Sequence, residues 1–376
     1  MSWFALLTAL GAALLALAYG LVAGHRKLFP FGLLLRAKHR WLADAPAVVA
    51  APAGGFIVDL ADTQALLARR HALAPYIWGD DGLPLARLPD DTEAPALPAE
   101  RALAGDLADA QRWTVRMAHG IDSQVLVLRP RGMRRDTVVV YQQGHEGGVA
   151  HGRTVLRRLL QAGYPVAALA MPLLGPNSRP VVYLRRHGPV QLVDHDHFRL
   201  LDHEFGGNAI RYFLEPVVAT LNQFALQGAR RFAMLGWSGG GWTTTLCAAL
   251  DTRIQTSISI AGSLPFSLRR GGELADYENH LPPLYDIVNY PELHALAAHG
   301  RGRRAWQVLN EFDTVAWSGR RGALYEPVVR DCLASLGGGG EFKVLIDDSW
   351  VGHGISSLAM DRVLDLLATP PAQDAA

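Results

Sequence analysis

Apolar residues fall into two alternating patterns from about residue 112 onward. Short runs rich in β-branched and aromatic residues predict eight strands, at residues 113–117, 124–128, 137–141, 166–170, 232–235, 254–260, 306–309 and 342–346. Longer segments predict helices at residues 153–162, 207–227, 240–250, 322–336 and 355–368. Because repeated strand–helix–strand units pair in parallel through right-handed crossovers, the pattern predicts an α/β fold with an eight-stranded, mostly parallel sheet and helices on both faces.

Three parts of the chain depart from this alternation. Residues 25–110 begin with basic residues and continue as proline- and alanine-rich sequence, which predicts a juxtamembrane segment and a linker before a main domain at residues 111–376. Within that domain, residues 172–205 and 263–304 carry prolines and turn residues without a clear period. We expect both insertions to cover the carboxyl edge of the strands and to shape a pocket there.

The amino terminus, residues 1–24, has no charged side chain. The 22 residues from Trp3 to Gly24 are enough, at ~1.5 Å per residue, to cross a ~30 Å hydrocarbon core, so the segment is predicted to be a transmembrane helix. Export after signal cleavage near residues 16–18 is the alternative. By the positive-inside rule, a single-pass protein with its main domain in the cytoplasm is expected from the cations that follow, Arg26, Lys27, Arg36, Lys38 and Arg40.

Composition narrows the possible partners. The chain has 36 basic and 35 acidic residues, so its net charge of +1 provides no field that would attract nucleic acid. A hydrophobic content of 49% allows a large core. The two cysteines, Cys247 and Cys332, are too few for a disulfide framework or a Cys-x-x-Cys metal site, and we expect buried thiols.

One serine lies in a motif that is typical of a sharp turn between a strand and a helix. Residues 236–240 read Gly-Trp-Ser-Gly-Gly and stand between a predicted strand and a predicted helix. In that context the Gly-x-Ser-x-Gly pattern forms a sharp turn that lifts the serine hydroxyl above the sheet. We therefore predict that Ser238 is a nucleophile, rather than an incidental residue of a glycine turn. Trp237 and Trp242 are expected either to line a pocket or to pack beneath this turn.

A serine hydroxyl needs a base and an acid to act near neutral pH. His353 follows the eighth predicted strand and is the only histidine after Asp313, which follows the seventh. Both residues are predicted at the same sheet edge as Ser238, with His353 as the base and Asp313 as the acid. The acidic residues that could replace Asp313 are Glu311, Asp347 and Asp348.

The oxyanion formed in acyl transfer needs backbone N–H donors. Gly239 follows the nucleophile and is predicted to supply one amide. The loop after the third predicted strand, Gln142-Gln143-Gly144-His145-Glu146-Gly147-Gly148, is predicted to supply the other through the amide of His145.

From about residue 112 to 368 the chain resembles the α/β-hydrolase superfamily of serine esterases, lipases, thioesterases and some peptidases. The resemblance rests on the Gly-Trp-Ser-Gly-Gly motif, the Gln-Gly-His-Glu-Gly-Gly loop, and the order of Asp313 and His353. The loop departs from many members, which have a histidine before the first glycine. The resemblance implies a serine hydrolase that cleaves a small-molecule or lipid-like carboxylic ester. A peptidase or an acyltransferase with the same triad, and a non-catalytic membrane-tethered binding protein, are the alternatives.

The other polar clusters in the sequence do not predict a metal or cofactor site. The segment Asp194-His195-Asp196-His197, with His203 nearby, has no common metal-ligand spacing, so we expect substrate contact or a polar cover rather than a metal. The arginines within residues 268–272 are expected to be solvated. No dinucleotide or P-loop pattern is present, and no cofactor is predicted.

Overall fold

The computed structural model of the protein describes residues 3–25, 33–34, 56–79, 82–94, 103–132, 134–201, 204, 206–270, 273 and 275–369. The first element is helix α1 (Trp3–His25), and most of its described side chains are exposed.

The prediction of a transmembrane helix at residues 1–24 is wrong. Among the described residues, no helix is both long enough and apolar enough to cross a membrane. The cations on which the predicted orientation depended, at positions 26, 27, 36, 38 and 40, lie outside the described residues.

Eleven strands and eight further α-helices follow α1 among the described residues. The strands are β1 (Asp91–Glu93), β2 (Leu107–Arg116), β3 (Asp122–Pro130), β4 (Thr137–Gln142), β5 (Val166–Leu169), β6 (Val181–Leu184), β7 (Gly188–Gln191), β8 (Arg231–Trp237), β9 (Ile254–Ile260), β10 (Arg304–Phe312) and β11 (Glu341–Val351). The helices are α2 (Thr63–Trp78), α3 (Arg153–Gln161), α4 (Arg211–Leu226), α5 (Gly239–Leu250), α6 (Pro282–Ile287), α7 (Tyr290–Ala298), α8 (Gly322–Leu336) and α9 (Ser357–Ala368).

Nine of these strands form one sheet in the order β1-β2-β3-β5-β4-β8-β9-β10-β11. Strands β1, β2, β3 and β5 pair antiparallel, and every pair from β5 to β11 is parallel. The predicted number of eight strands is therefore wrong. The additional strand is β1, which lies in the predicted linker and pairs with β2 at the sheet edge. A three-residue strand is too short to show a period of two in the sequence.

The middle of the sheet is buried on both faces. Strands β4, β5, β8 and β9 consist of buried residues except for one position each in β4, β8 and β9, and consecutive residues of a strand point to opposite faces. Near-continuous apolar runs are typical of parallel strands that are covered on both sides. Helix α5, all of whose twelve residues are buried, follows β8 directly. The turn between β8 and α5 thus joins two buried elements.

Helix α2 packs into the core, although it lies in the segment predicted to be a linker. Its side chains Leu66, Leu73 and Ile77 are fully buried. Arg70 fastens it to the main domain, because its Nε donates a hydrogen bond to Ala249 O at 2.8 Å and its Nη2 donates to Leu296 O at 3.0 Å. Residues 56–79 therefore contribute to the stability of the sheet domain.

The two insertions contain short elements of their own. Residues 172–205 include the antiparallel hairpin β6–β7 and a 3₁₀ helix at His195–Leu201. Residues 263–304 include two 3₁₀ helices, Phe266–Leu268 and Tyr277–His280, followed by α6 and α7. The 3₁₀ helices His195–Leu201 and Tyr277–His280 each bring a side chain to the loop after β4.

Candidate active site

Ser238 lies in the turn between β8 and α5 with φ 56° and ψ −128°. A non-glycine residue in this region costs about 1–3 kcal/mol and persists only where the surroundings hold it. Here the Ser238 amide donates to Ile260 O at 2.8 Å, and the Ser238 carbonyl accepts from the Gly241 amide at 2.8 Å. The side chain is half-buried at the carboxyl end of β8 and at the amino end of α5. This is the strand–turn–helix geometry that the Gly-x-Ser-x-Gly pattern predicts.

Two glycines allow this turn because the backbones around it nearly touch. A Cβ on Gly236 would lie 2.0 Å from Gly240 O, and a Cβ on Gly240 would lie 2.1 Å from Gln142 O. Real Cβ atoms do not approach other atoms so closely, and both obstacles are backbone atoms that cannot move aside. These positions therefore require glycine, as the motif indicates.

Asp313 and His353 contact each other at the same sheet edge. The distance from His353 Nδ1 to Asp313 Oδ2 is 2.8 Å, and both side chains are nearly inaccessible to solvent. The other carboxylate oxygen, Asp313 Oδ1, accepts the backbone amides of Val315 at 2.8 Å and Ala316 at 3.1 Å. Such a carboxylate is fixed in orientation and can hold the imidazole in the tautomer whose Nε2 accepts a proton.

The alternative acids have other partners. Glu311 pairs with Arg320 at 3.3 Å, and Asp347 is buried, where it accepts hydrogen bonds from Ser349 and Ser356. Asp348 is exposed. The geometry therefore favours Asp313 over all three as the partner of His353.

Asn310, a residue that the sequence reasoning missed, holds the loop of His353. Its Nδ2 donates to Gly352 O at 3.1 Å and to Gly354 O at 2.8 Å, the carbonyls on either side of His353. Asn310 is buried in β10 three residues before Asp313. A polar residue within an otherwise apolar strand, so close to the predicted acid, was the available signal.

Trp237 brings the imidazole next to the turn. Its ring contacts that of His353, with centroids 5.3 Å apart, and Trp237 directly precedes Ser238. A hydrogen bond between the Ser238 hydroxyl and His353 is not among those of the described residues. Hydrogen bonds of this kind are often long in unliganded enzymes and shorten when substrate binds. Trp242 packs in the core instead, where its Nε1 donates to Tyr285 Oη at 2.7 Å.

The loop after β4 lies directly against the serine turn. A Cβ on Gly144 would be 2.7 Å from Ser238 Cβ, and a Cβ on Gly239 would be 2.3 Å from His145 Cε1. Within the described part of the chain, the backbone amides of His145 and Gly239 donate no hydrogen bond to other protein groups. Two unused amides beside a candidate nucleophile are what an oxyanion hole requires.

The imidazole of His145 belongs to a buried cluster that the sequence did not reveal. His145 Nε2 lies 3.1 Å from Glu278 Oε1 and 3.0 Å from His195 Nδ1. Burial opposes protonation of His145, but the hydrogen bond with Glu278 and the charges of Glu278 and Asp276 outweigh it and raise the pKa of the imidazole. Burial would raise the pKa of Glu278, but the charges and hydrogen bonds of His195 and His145 outweigh it and lower that pKa strongly.

Glu278 lies in an insertion without periodicity, so no sequence signal pointed to it. The donor atoms of His145, His195 and Glu278 all lie within 4.8 Å of one another, which makes them the group of described residues able to hold a metal ion.

The other polar residues singled out in the sequence have local partners. His197 pairs with Asp194 at 2.7 Å, so the 194–197 segment does not converge on one point, and His203 lies outside the described residues. Arg269 donates to Leu264 O at 2.8 Å and stacks on the ring of Phe266, 4.3 Å from its centroid. Gly272 lies outside the described residues. Arg269 is therefore held by packing. This differs from the solvated side chain that the sequence predicted.

A cavity of about 570 Å³ lies far from these groups. Its lining includes Thr137, Phe232, Thr256 and Arg304, which stand at or near the amino ends of β4, β8, β9 and β10. Ser238 is at the carboxyl end of β8, so this cavity opens at the opposite edge of the sheet. Chemistry rather than cavity size therefore identifies the candidate active site.

No protein-family model and no curated protein sequence matches the chain. Similar solved structures include acetyl xylan esterase 1 from Thermoanaerobacterium sp. JW/SL YS485, with a TM-score of 0.53 and 12% identity, covering 83% of this chain and 96% of that one. Methylesterase BT1017 gives a TM-score of 0.52 and 16% identity, covering 82% of this chain and 65% of that one. The esterase Pf2001 from Pyrococcus furiosus gives a TM-score of 0.50 and 13% identity, covering 76% of this chain and 98% of that one. At such identities the similarity is one of fold, and this chain has the α/β-hydrolase fold.

Proposed function

We propose that the protein is a serine hydrolase that cleaves a carboxylic ester through an acyl-enzyme intermediate. One observation carries the proposal: a serine held at φ 56° stands beside two unused amides, and a His–Asp pair 2.8 Å apart lies at the same sheet edge. Strained residues of this kind cluster at active sites, where the surrounding structure holds them.

The proposed first step is attack of Ser238 Oγ on the ester carbonyl carbon. The hydroxyl proton passes to His353 Nε2, and Asp313 stabilises the imidazolium through Nδ1. The amides of Gly239 and His145 bind the oxyanion of the tetrahedral intermediate. His353 then donates the proton to the alkoxide leaving group as its bond to carbon breaks.

The second step repeats the first with water as nucleophile. His353 takes a proton from water, the hydroxide attacks the acyl carbon, and Ser238 leaves with the proton returned by His353. The products are the carboxylic acid and the alcohol. The names of the structurally similar proteins, which are esterases, support an ester rather than an amide as substrate.

A fluorophosphonate probe tests the proposal on the full chain. We expect wild type to be labelled and Ser238→Ala to be unlabelled, since the probe reacts with an activated serine. Ser318→Ala, which removes another half-buried serine hydroxyl, is the matched control and should label like wild type. Folded wild-type protein that resists labelling would mean that the fold serves binding instead of catalysis.

A series of p-nitrophenyl esters of increasing acyl length, with the matching p-nitroanilides, then identifies the substrate class. We expect ester turnover to exceed anilide turnover, and the preferred acyl length to report the pocket that the two insertions shape. Faster cleavage of the anilides would assign the same residues to a peptidase.

A further inference from the structure

Three side chains from separate parts of the chain form the His–His–Glu cluster, defined as His145, His195 and Glu278. His145 comes from the loop after β4, His195 from the first insertion and Glu278 from the second. The possible ligand atoms lie close together: His145 Nε2 to His195 Nδ1 is 3.0 Å, His145 Nε2 to Glu278 Oε1 is 3.1 Å, and His195 Nδ1 to the other carboxylate oxygen, Glu278 Oε2, is 3.3 Å. Ligands at ~2.0–2.1 Å from a tetrahedral Zn²⁺ lie roughly 3.3 Å from one another.

The tautomer of His195 is fixed by a backbone group. Its Nε2 donates to Pro172 O at 2.9 Å, so the neutral ring carries its proton there and leaves a lone pair on Nδ1. That lone pair faces the carboxylate of Glu278 and Nε2 of His145. A histidine whose remote N–H is held by a backbone carbonyl is the usual arrangement of a metal-ligating imidazole.

Hydrogen bonds alone do not satisfy the cluster. Glu278 is fully buried, and within the described residues its Oε2 makes no hydrogen bond of good geometry, although His195 Nδ1 lies 3.3 Å away. His145 has a single Nε2–H, which cannot serve both Glu278 Oε1 and His195 Nδ1 well. A cation among the three donor atoms would neutralise the buried carboxylate and use both imidazole lone pairs.

We propose that the His–His–Glu cluster is a binding site for a divalent metal ion, with Zn²⁺ as the preferred ion. Two imidazole nitrogens and one carboxylate are a ligand set that Zn²⁺ accepts. Asp276 Oδ2, half-exposed and 3.3 Å from His145 Nε2, is placed to complete the coordination sphere or to hydrogen-bond a bound water.

The role of the ion follows from where its ligands lie. It would tie the loop that carries the His145 amide to both insertions, and so fix the distance between that amide and Gly239. His145, His195 and Glu278 would then be positioning residues for the oxyanion site. The metal site does not depend on the proposed esterase function, because its evidence lies in the ligand geometry alone.

Metal binding is tested on the full chain by titrating metal-depleted protein with Zn²⁺ in a calorimeter, and with Co²⁺ while recording visible absorption. We expect about one Zn²⁺ per chain and the intense d–d bands of a Co²⁺ ion in a tetrahedral site. His195→Ala and Glu278→Gln should weaken binding at least about 100-fold, since each removes a ligand. His197→Ala is the matched control, because it removes a histidine of the same 3₁₀ helix that lies outside the cluster.

Thermal unfolding gives a second measurement that also checks folding. Added Zn²⁺ should raise the Tm of wild type, His197→Ala and Ser238→Ala, but not that of His195→Ala or Glu278→Gln. Ser238→Ala should bind Zn²⁺ as wild type does, so that the metal site can be tested independently of the proposed hydrolase activity. If wild type binds no Zn²⁺, the cluster is joined by hydrogen bonds alone. If His195→Ala binds Zn²⁺ as tightly as wild type, the metal site lies elsewhere. Either result overturns the proposal.

Discussion

At the scale of single residues, Ser238 combines a positive φ with a polar, half-buried side chain. Five other described non-glycine residues have positive φ, but among the described residues only Ser238 has both this conformation and a hydroxyl at the amino end of a buried helix. The strain is held by backbone hydrogen bonds and by glycines that no other residue could replace. The backbone conformation of Ser238 therefore distinguishes it as much as its hydroxyl does.

Asp313→Asn is expected to lower kcat/KM by about 10³–10⁴-fold, because the amide would stabilise the wrong tautomer of His353. Glu311→Gln is the matched control: it removes a carboxylate two residues away that pairs with Arg320, and we expect less than about a threefold change, since surface ion pairs contribute little. Steady-state kinetics on the best p-nitrophenyl ester measures both. A near-normal rate for Asp313→Asn would assign the acid to another residue.

At the scale of elements, the site depends on how β10 holds the loop after β11. Asp313 follows β10, His353 follows β11, and Asn310 in β10 fastens the carbonyls on both sides of His353. The two strands are parallel neighbours, so their carboxyl ends deliver both residues to one edge. The parallel pairing of β10 and β11 therefore brings the candidate acid and base together.

Asn310→Ala should lower kcat by about 10–100-fold with a small change in KM, because the imidazole loses its position while the substrate pocket remains. Asn222→Ala is the matched control. Asn222 is also buried and donates from Nδ2 to two carbonyls, Pro84 O at 3.1 Å and Arg87 O at 2.7 Å, but it lies on α4. Both variants should lose stability, and equal kcat values for the two would argue against a positioning role for Asn310.

At the scale of the whole molecule, the two insertions and helix α2 connect distant parts of the chain. His195 and Glu278 meet over the loop after β4, and Arg70 joins α2 to α5 and α7. Glu273 of the second insertion forms a two-pronged ion pair with Arg321 beside α8, at 2.5 Å and 2.7 Å. This pair joins the insertion to the sheet domain.

Burial alone would raise the pKa of Glu273, but the hydrogen bonds from Arg321 and from the Arg270 amide, with the charge of Arg321, outweigh it and lower that pKa from its ordinary 4.5. A carboxyl whose folded pKa lies below the unfolded value stabilises the protein above the unfolded pKa, and this contribution is lost as the pH falls through the folded pKa. The Glu273–Arg321 pair should therefore matter at neutral pH and disappear in acid.

Glu273→Gln is expected to lower the free energy of unfolding by about 1.5–3 kcal/mol near pH 7. The difference from wild type should shrink as the pH falls below about 4.5, where wild-type Glu273 also becomes protonated. Asp361→Asn, which breaks an exposed ion pair with Arg158, is the control and should change stability by less than about 1 kcal/mol. Denaturant unfolding between pH 3 and 7 measures this, and a constant difference across that range would contradict the expectation.

Local sequence patterns predicted the positions of eight strands of the sheet and the turn of Ser238, because both depend on neighbours within a few residues. They failed at the amino terminus, where an uncharged segment of 22 residues was predicted to span a membrane, and at β1, whose three residues pair with the edge of β2. The assignment of Asp313 and His353 to one site used chain order, and stays a prediction until the variants are measured.

The sequence by itself determined the periodicities, the glycines that the serine turn requires and the order of the candidate acid and base. Only the tertiary structure decided which side chains meet. It placed Asn310 on the loop of His353, and brought Glu278 and His195 to His145 across separations of 133 and 50 residues. The physical reason is that a pattern in the chain reports contacts between near neighbours, while buried polar contacts between distant segments are set by how the whole core packs.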